Sequence, residues 1–143
     1  MRIIGEIDKR STLGFVVAQL VCPAHNVDAS VRFYVDTGAT RTTIADRDAQ
    51  RIGVDCKKLN LKRAPRGIEG AGGYVDAYLL PKSMLLFRFR HSAYAEYLDT
   101  IYVMQHKPQV PKKVVQNLPS VIGLDVLRNY SIKATAENIV MEK

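Results

Sequence analysis

The sequence FYVDTGA occupies residues 33–39. It closes a segment, residues 30–35, in which apolar side chains alternate with Arg32 and Tyr34, a pattern typical of a strand with one buried face. The strand leads directly into Asp36 and small residues. Asp and Gly are common in plain turns, and a given tripeptide arises by chance in a chain of this length in about a few per cent of cases. The triplet alone therefore fits either a turn or a catalytic loop.

The rest of the chain also reads as strands separated by turns. Apolar or alternating segments predict strands at residues 13–21, 74–80, 83–89, 95–104 and 120–122, and a closing hairpin over residues 131–134 and 138–141. Thr43 as N-cap and Gly53 as left-handed C-cap bound a first helix, and residues 125–129 predict one or two further helical turns. Residues 107–119 contain three prolines and three lysines and predict a loop. The pattern indicates an all-β fold with one or two short helices.

Length and composition exclude several classes of protein. The chain has 143 residues, of which 47% are hydrophobic and 24% charged. This corresponds to one domain and excludes a disordered polymer. No apolar run approaches the ~18 residues of a membrane-spanning helix, so we expect no membrane partner. Residues 1–10 lack the apolar core of a secretory signal, and Cys22 and Cys56 lack Cys-x-x-Cys spacing, which together predict reduced thiols in a cytoplasmic protein.

The net charge of +7 allows association with nucleic acid or another anionic surface. The basic side chains are densest in residues 57–66 and 107–113, but aromatic residues do not interleave them as a stacking platform would require. We therefore expect no nucleic-acid partner. The three histidines are isolated from one another and show no metal-ligand spacing, so we expect neither a metal nor another cofactor.

Two further segments carry motifs. Residues 68–74 read IEGAGGY and predict a hairpin with a glycine-rich tip. Residues 121–127 read VIGLDVL, in which two apolar residues precede a glycine and a short helix. Asp125 falls near the start of that helix, where the helix dipole favours a carboxylate. With the FYVDTGA segment, these elements span residues 34–127, which is most of the chain.

In this order and at these separations, the three elements resemble the retropepsin-like aspartic proteases, the single-domain relatives of pepsin. The resemblance implies a closed acid-protease β-barrel over residues 1–143, with residues 1–9 forming either a terminal arm or a loose end. It implies a catalytic Asp36 and a flap hairpin that covers an extended polypeptide substrate. The implied supporting residues are Thr37, Gly38 and Ala39 in the catalytic loop, Ile68, Glu69, Gly70, Ala71, Gly72 and Gly73 in the flap, and Ile122, Gly123 and Asp125 near the site.

The sequence departs from the family pattern beside the catalytic loop. Many viral members carry an acidic pair after Asp-Thr-Gly-Ala and an Arg at the position of Leu124. This chain has Thr40 and Arg41 after Ala39, and Leu124 supplies no charge. The flap also has one glycine fewer than the family's Gly-Gly-x-Gly-Gly tip. These differences leave the dimer contacts and substrate subsites open, whereas the catalytic triplet is retained.

Hydrolysis by this route needs two carboxylates facing one water, one ionised and one protonated. The chain has only one Asp-Thr-Gly, so the second carboxylate must come from Asp36 of a second copy across a two-fold axis. A pairing of Asp36 with Asp125 within one chain is the less favoured alternative. The sequence thus predicts a homodimeric aspartic endopeptidase. The competing hypothesis is a catalytically silent peptide-binding or dimerisation module on the same fold.

Ala39 leads to a prediction about pH. Pepsin-like enzymes often carry Ser or Thr at this position, where the hydroxyl can donate a hydrogen bond that favours the ionised carboxylate. Alanine cannot donate, so we expect an optimum in mildly acidic solution and an acid limb that moves to lower pH in Ala39→Ser. A pH–rate profile on a peptide substrate tests this, and a maximum at about pH 2 would contradict it.

Overall fold

The computed structural model describes residues 1–70 and 73–143. The strands in this part of the chain are β1 Arg2–Ile7, β2 Gly14–Cys22, β3 Val27–Val35, β4 Thr43–Ile44, β5 Lys62–Arg63, β6 Ile68–Gly70, β7 Gly73–Phe89, β8 Ser92–Gln105, β9 Ser120–Ile122, β10 Ser131–Ala134 and β11 Asn138–Glu142. The α-helices are α1 Asp46–Ile52, α2 Lys112–Asn117 and α3 Leu124–Leu127, and one 3-10 turn covers Pro23–His25.

The sheet closes on itself. Its strand order is β10-β11-β1-β2-β3-β9-β4-β8-β7-β5, and an additional pairing joins β2 to β7. Strands β2, β3, β9, β4, β8 and β7 therefore form a complete ring, which removes the exposed edges that an open sheet would present. The expected closed all-β fold is confirmed.

The alternation along β3 shows how the ring is filled. Val31, Phe33 and Val35 are buried, while Arg32 points outward and forms an ion pair with Glu6 at 2.9 Å. Side chains of β2, β4, β7, β8 and β9 complete the interior. The largest fully buried side chains of the ring are Phe33, Phe87, Leu20, Ile44, Leu80, Leu85, Ile101 and Ile122. The C-terminal end of β3, which Asp36 follows, is therefore anchored by the packing of its buried face.

The first helix differs from the prediction at its start. The helix begins at Asp46 after an N-cap at Ala45, and Thr43 lies in β4 instead of serving as the N-cap. Thr43 is extended because its backbone pairs with both β8 and β9, which outweighs its capping preference. Gly53 ends the helix with φ of 78°, as predicted.

The segment expected to be a loop contains a helix. Residues Lys112–Asn117 form α2, which gives three short α-helices in the described residues where one or two were expected. Pro111 occupies the N-cap position, and the carbonyl oxygen of Pro111 accepts hydrogen bonds from the backbone N–H of Val114 and Val115. A proline just before a helix does not interrupt it, so the proline content was a misleading signal.

The first residues form a strand of the sheet outside the closed ring. Strand β1 pairs with β11 from Arg2↔Glu142 to Glu6↔Asn138 and with β2 at Glu6↔Phe15. Residues 2–7 are therefore held in the sheet by pairing with β11 and β2. None of the helices in the described residues has the length and apolarity that crossing a membrane requires.

Strand β7 serves two parts of the molecule. Its second half closes the ring by pairing with β2 at Gln19↔Leu86, while its first half extends beyond the ring and pairs with β6. Strand β5, from the basic segment 57–66, pairs with β7 at Lys62↔Leu79, and Arg63 forms an ion pair with Asp76 at 2.5 Å. The basic segment therefore supports the base of the hairpin that projects from the ring.

Glu96 on β8 connects the barrel to the C-terminal segment. Its carboxylate accepts hydrogen bonds from the Tyr130 hydroxyl at 2.6 Å and the Asn129 amide at 3.2 Å, and forms an ion pair with Lys143 at 2.9 Å. Burial raises the pKa of Glu96, but the bonds from Tyr130, Lys143 and Asn129 outweigh burial, so that this pKa is lowered from 4.5. Burial and the Glu96 carboxylate raise the pKa of Tyr130.

Because the pKa of Glu96 is lower in the folded state than in the unfolded state, its contribution to stability is present above about pH 4.5 and is lost as the pH falls through the folded pKa. We expect Glu96→Gln to reduce the free energy of unfolding at neutral pH by about 1 kcal/mol. The variant should also lose part of the acid dependence. Urea unfolding from pH 3 to pH 7 measures both, with the exposed Glu142→Gln as control; equal pH profiles for the wild type and Glu96→Gln would contradict the assignment.

Candidate active site

Asp36 is held at the end of β3 by backbone contacts on both sides. Strands β3 and β9 run parallel with Val35 opposite Ile122, and the Asp36 N–H donates to the Ile122 carbonyl at 3.2 Å. The Gly38 N–H donates to Asp36 Oδ1 at 2.8 Å, and the Ala39 N–H donates to the Asp36 carbonyl at 3.1 Å. A Cβ on residue 38 would lie 3.1 Å from Asp36 Oδ1. Glycine thus allows the turn to bring its amide against the carboxylate.

A second carboxylate lies behind the loop. Asp125 on α3 accepts the Thr42 N–H at 3.0 and 2.9 Å and the Thr42 hydroxyl at 2.7 Å. Thr42 Oγ1 in turn accepts the Gly123 N–H at 3.2 Å, and Thr42 has no exposed surface. This network connects the segment after the catalytic triplet to the start of α3 through charge-assisted hydrogen bonds.

The two segments also touch through their backbones. The Leu124 N–H donates to the Ala39 carbonyl at 2.8 Å, and the Asp125 N–H donates to the Thr40 carbonyl at 3.3 Å. A Cβ on Gly123 would lie 2.7 Å from the Arg41 carbonyl carbon and 2.9 Å from the Ala39 oxygen. Gly123 is therefore required because any side chain would push the two segments apart.

The Asp125 carboxylate is engaged on the side of the loop where Thr42 lies. Its oxygens accept hydrogen bonds from Thr42, and Oδ1 also accepts the Val126 N–H at 3.1 Å. Asp125 therefore braces the loop from behind, and its role is larger than that of a residue favoured at a helix start. The Thr42 contact was not predicted from the sequence, since 83 residues separate the partners.

Asp36 lines a cleft with a volume of about 510 Å³. From the loop after Asp36, the lining includes Gly38, Ala39, Thr40, Arg41 and Thr43, and neighbouring strands supply Tyr102, Met104 and Val121. Gly67, Ile68 and Glu69 of the hairpin segment also line the cleft. The structure thus brings Gly38 and Ala39 of the predicted loop and Ile68 and Glu69 of the predicted flap to one cavity with Asp36. Tyr102 and Met104 were not predicted, because only the parallel pairing of β4 with β8 places them there.

The flap candidate is the projecting part of the β6–β7 hairpin. Its register pairs Ile68 with Val75 and Gly70 with Gly73, which has φ of 104°. The Tyr74 hydroxyl accepts the Gly67 N–H at 2.9 Å, and a Cβ on Gly67 would lie 2.2 Å from the Val75 carbonyl oxygen. The hairpin is therefore packed closely at its base. Two further predicted flap residues, Ala71 and Gly72, lie outside the described residues.

Two residues beside the loop lie on the surface. Thr37 is exposed, and the side chain of Leu124 at the start of α3 is 40% exposed. Ile122 in β9 is fully buried beneath them.

A buried polar network supports the site from α1. Asp48 is 5% exposed and accepts the Ser120 hydroxyl at 2.6 Å, while Ser120 Oγ accepts the Ala45 N–H at 3.0 Å. Asp46 accepts the His106 backbone N–H at 2.7 Å and contacts His106 Nδ1 at 2.6 Å. These contacts fix α1 against β9 and the end of β8. His106 is thus a structural partner of Asp46, a contact that was not predicted from the sequence.

The cysteines and the acidic residues form no second centre. Cys22 and Cys56 are free and buried, and burial raises the pKa of Cys56 to about 11, so that its thiol stays protonated at neutral pH. Within residues 1–70 and 73–143, no three His, Cys, Asp or Glu side chains are arranged to hold a metal ion.

Comparisons with known proteins agree with this geometry. Residues 25–82 match the family model described as "gag-polyprotein putative aspartyl protease". This range contains both the Asp-Thr-Gly triplet and the flap candidate. None of the curated proteins matches the chain significantly.

Two solved structures align with most of the chain, and the first of them shares its fold. A retropepsin-like aspartic protease from Rickettsia conorii aligns with 99% of this chain and 89% of its own, at 17% identity and a TM-score of 0.58. EIAV protease, solved in complex with the inhibitor HBY-793, aligns with 85% of this chain and 91% of its own, at 13% identity and a TM-score of 0.47. The family model and the fold confirm the resemblance to retropepsin-like aspartic proteases.

The Thr42 network gives a testable expectation. Thr42→Val keeps the shape but removes the hydroxyl, so that the buried Gly123 N–H loses its acceptor and Asp125 loses a donor. We expect the free energy of unfolding to fall by about 2–3 kcal/mol. Thr43→Val is the matched control, because Thr43 Oγ1 makes a single 3.2 Å bond to the Arg41 carbonyl, and its cost should be about 1 kcal/mol or less. Urea unfolding compares them; equal costs would show that the network does not anchor the loop.

Proposed function

We propose that the chain, as one domain over residues 1–143, is an aspartic endopeptidase that works as a homodimer. One observation carries the proposal: Asp36 lies in a cleft between its own loop and the hairpin of β6 and β7, with its carboxylate oriented by the Gly38 N–H. The retropepsin-like fold supports the same reaction class. The proposed substrate is an extended polypeptide, for which a long cleft with a movable cover is suited.

The need for a second copy follows from the chemistry. One carboxylate cannot both accept a proton from water and hold a proton toward the scissile carbonyl at the same time. Two like charges at about 3 Å cannot both ionise, so a close pair of carboxylates shares one proton and performs both tasks. Asp125 is occupied behind the loop, which leaves Asp36 of a second copy as the proposed partner.

In the proposed reaction, the ionised Asp36 takes a proton from a water molecule, and the water oxygen attacks the carbonyl carbon of the peptide bond. The protonated Asp36 of the other copy donates its proton to the carbonyl oxygen. A tetrahedral intermediate forms, and its collapse breaks the carbon–nitrogen bond as the leaving nitrogen gains a proton. The Gly38 N–H holds the carboxylate in place throughout, which limits the reorganisation that the transition state requires.

The proposed dimer would cover the exposed residues beside the loop. By the family resemblance, Thr37 hydrogen-bonds across the two-fold axis and fixes the two loops together. Leu124 would pack against the partner where many viral members use an ion pair. Such a contact gains stability from removing apolar surface from water and depends little on salt.

A catalytically silent peptide-binding or dimerisation module is the second candidate. Leu124 and the Thr40–Arg41 pair favour it, because they differ from the residues that active viral members carry there. A purely structural dimer has no need of a carboxylate pair at its axis, since each carboxylate would resist burial. The two candidates separate on whether unstructured peptides are cleaved.

Asp36→Asn should abolish the reaction and leave the structure intact. The amide is close in size and cannot take the proton from water, so we expect peptide hydrolysis to fall by at least about a thousandfold with unchanged folding and association. Peptide cleavage, circular dichroism and sedimentation measure these three properties. Asp28→Asn, an exposed carboxylate on the same strand, should behave as the wild type.

Mixing the subunits tests whether the site is shared. Equal amounts of wild-type and Asp36→Asn chains are mixed and allowed to exchange freely. If each active site needs both carboxylates, only the dimers of two wild-type chains are active, which are about one quarter of all dimers. Independent sites would instead retain about one half of the activity. Full hydrolysis by Asp36→Asn alone would refute the proposed mechanism.

A further inference from the structure

Arg41 is a cation on the lining of the cleft, five residues after Asp36 in the chain. Its side chain is exposed, and its guanidinium lies 6.0 Å from the centre of the Tyr102 ring. Among the described residues, no carboxylate lies within ion-pair distance of it, whereas Arg32, Arg47, Arg51 and Arg63 all have acidic partners. Its charge is therefore available to a ligand in the cleft.

The backbone of Arg41 is fixed by the network behind the loop. The following residue, Thr42, is bonded to Asp125 through both its N–H and its hydroxyl. The Arg41 carbonyl accepts the Thr43 hydroxyl at 3.2 Å and lies against Gly123. A side chain on a backbone that is held in this way loses less conformational entropy when it binds a ligand than a side chain on a mobile loop.

Arg41 is the one basic residue among the described residues that line the cleft. Thr40 and Thr43 add hydroxyl groups, and Ala39, Tyr102, Met104 and Val121 supply apolar or aromatic surface. An arginine next to such surface can bind a carboxylate through two parallel hydrogen bonds while the ligand's methylene groups pack on the apolar residues. This combination suits the side chains of Glu and Asp.

We propose that Arg41 selects polypeptide substrates with acidic side chains on both sides of the scissile bond. The inference rests on the proposed homodimer, because the two-fold axis then places one Arg41 on each side of the two Asp36 carboxylates. The preferred acidic positions are consequently arranged symmetrically about the cleaved bond. The excess positive charge of the chain, +7, favours the approach of such substrates.

Two other charged side chains face the same cavity. Asp36 shares one proton with its counterpart in the proposed dyad, and Glu69 is an exposed residue of the flap strand β6. In the alternative to this proposal, Arg41 forms an ion pair with Glu69 when the flap closes. Arg41 would then act as a latch that holds the flap closed, without selecting the substrate side chain. The experiment must therefore separate a change in preference from a general loss of affinity.

Binding to the Asp36→Asn variant measures the preference without hydrolysis. The probes are fluorescent peptides in which a pair of Glu is moved outward symmetrically from the centre, and the matched peptides carry Gln or Lys pairs. At about pH 6 substrate carboxylates are ionised, and we expect one Glu spacing to bind about five- to tenfold more tightly than its Gln match. Adding Arg41→Met should remove this ratio, and adding Arg41→Glu should transfer the preference to the Lys pair.

Controls separate the outcomes. Arg10→Met, an exposed arginine outside the cleft lining, should leave the Glu-to-Gln ratio unchanged. Lowering the pH to about 3 protonates substrate carboxylates and should reduce the ratio. The proposal is overturned if no spacing shows a preference for Glu, or if Arg41→Met and Glu69→Gln weaken all peptides equally, as a latch would. Cleavage of the same peptides by the wild type is measured separately. The absence of cleavage would refute the proposed endopeptidase, whereas the Glu-to-Gln binding ratio would still decide the role of Arg41.

Discussion

The hydrogen bonds between Asp125 and Thr42 are the contact on which the candidate site depends. They join two segments that are 83 residues apart, the loop after the catalytic triplet and the start of α3. Because the Thr42 hydroxyl also accepts the Gly123 N–H, one buried group holds both segments at a fixed separation. The parallel pairing of β3 and β9 then determines where Asp36 emerges. In the proposed dimer, the Asp36 carboxylate needs this rigidity, since a displacement of about 1 Å would separate it from its counterpart.

Rigidity is distributed unevenly around the cleft. The loop that carries Asp36 is supported by buried, hydrogen-bonded polar groups, such as Asp48 with Ser120, and by the closed ring of strands. The β6–β7 hairpin extends beyond the ring, and Arg63 contacts Asp76 at its base. In the proposed endopeptidase, this division would keep the reacting carboxylates in place while the hairpin moves to bind and release an extended polypeptide.

The candidate site combines an apolar and a cationic side chain near the Asp-Thr-Gly loop. Leu124 is 40% exposed at the start of α3, and Arg41 brings a cation to the lining of the cleft. In the proposed dimer, Leu124 would form an apolar subunit contact, while Arg41 gives the cleft a group that can recognise acidic side chains. Both residues lie in the two segments that the Thr42 network holds together, so they define the surfaces of the site while the network holds its frame.

The sequence by itself determined the closed all-β architecture, the position of Asp36 at a strand end and the helix stop at Gly53, because these follow from alternation and from local turn chemistry over a few residues. It also placed the loop, the flap candidate and the Gly123 segment around one site, through the family resemblance. Only the tertiary structure decided that Thr43 is a strand residue, that residues 112–117 are helical, and that Asp125 bonds Thr42. The helix at residues 112–117 is local, and Pro111 marks its start. The strand at Thr43 and the Asp125–Thr42 bonds depend on partners far along the chain, and local preferences of about 1 kcal/mol are outweighed by such pairing. The same reason explains why Tyr102 and Met104 were missed as cleft residues, since strand register, which the pattern of one strand does not contain, brings them to Asp36.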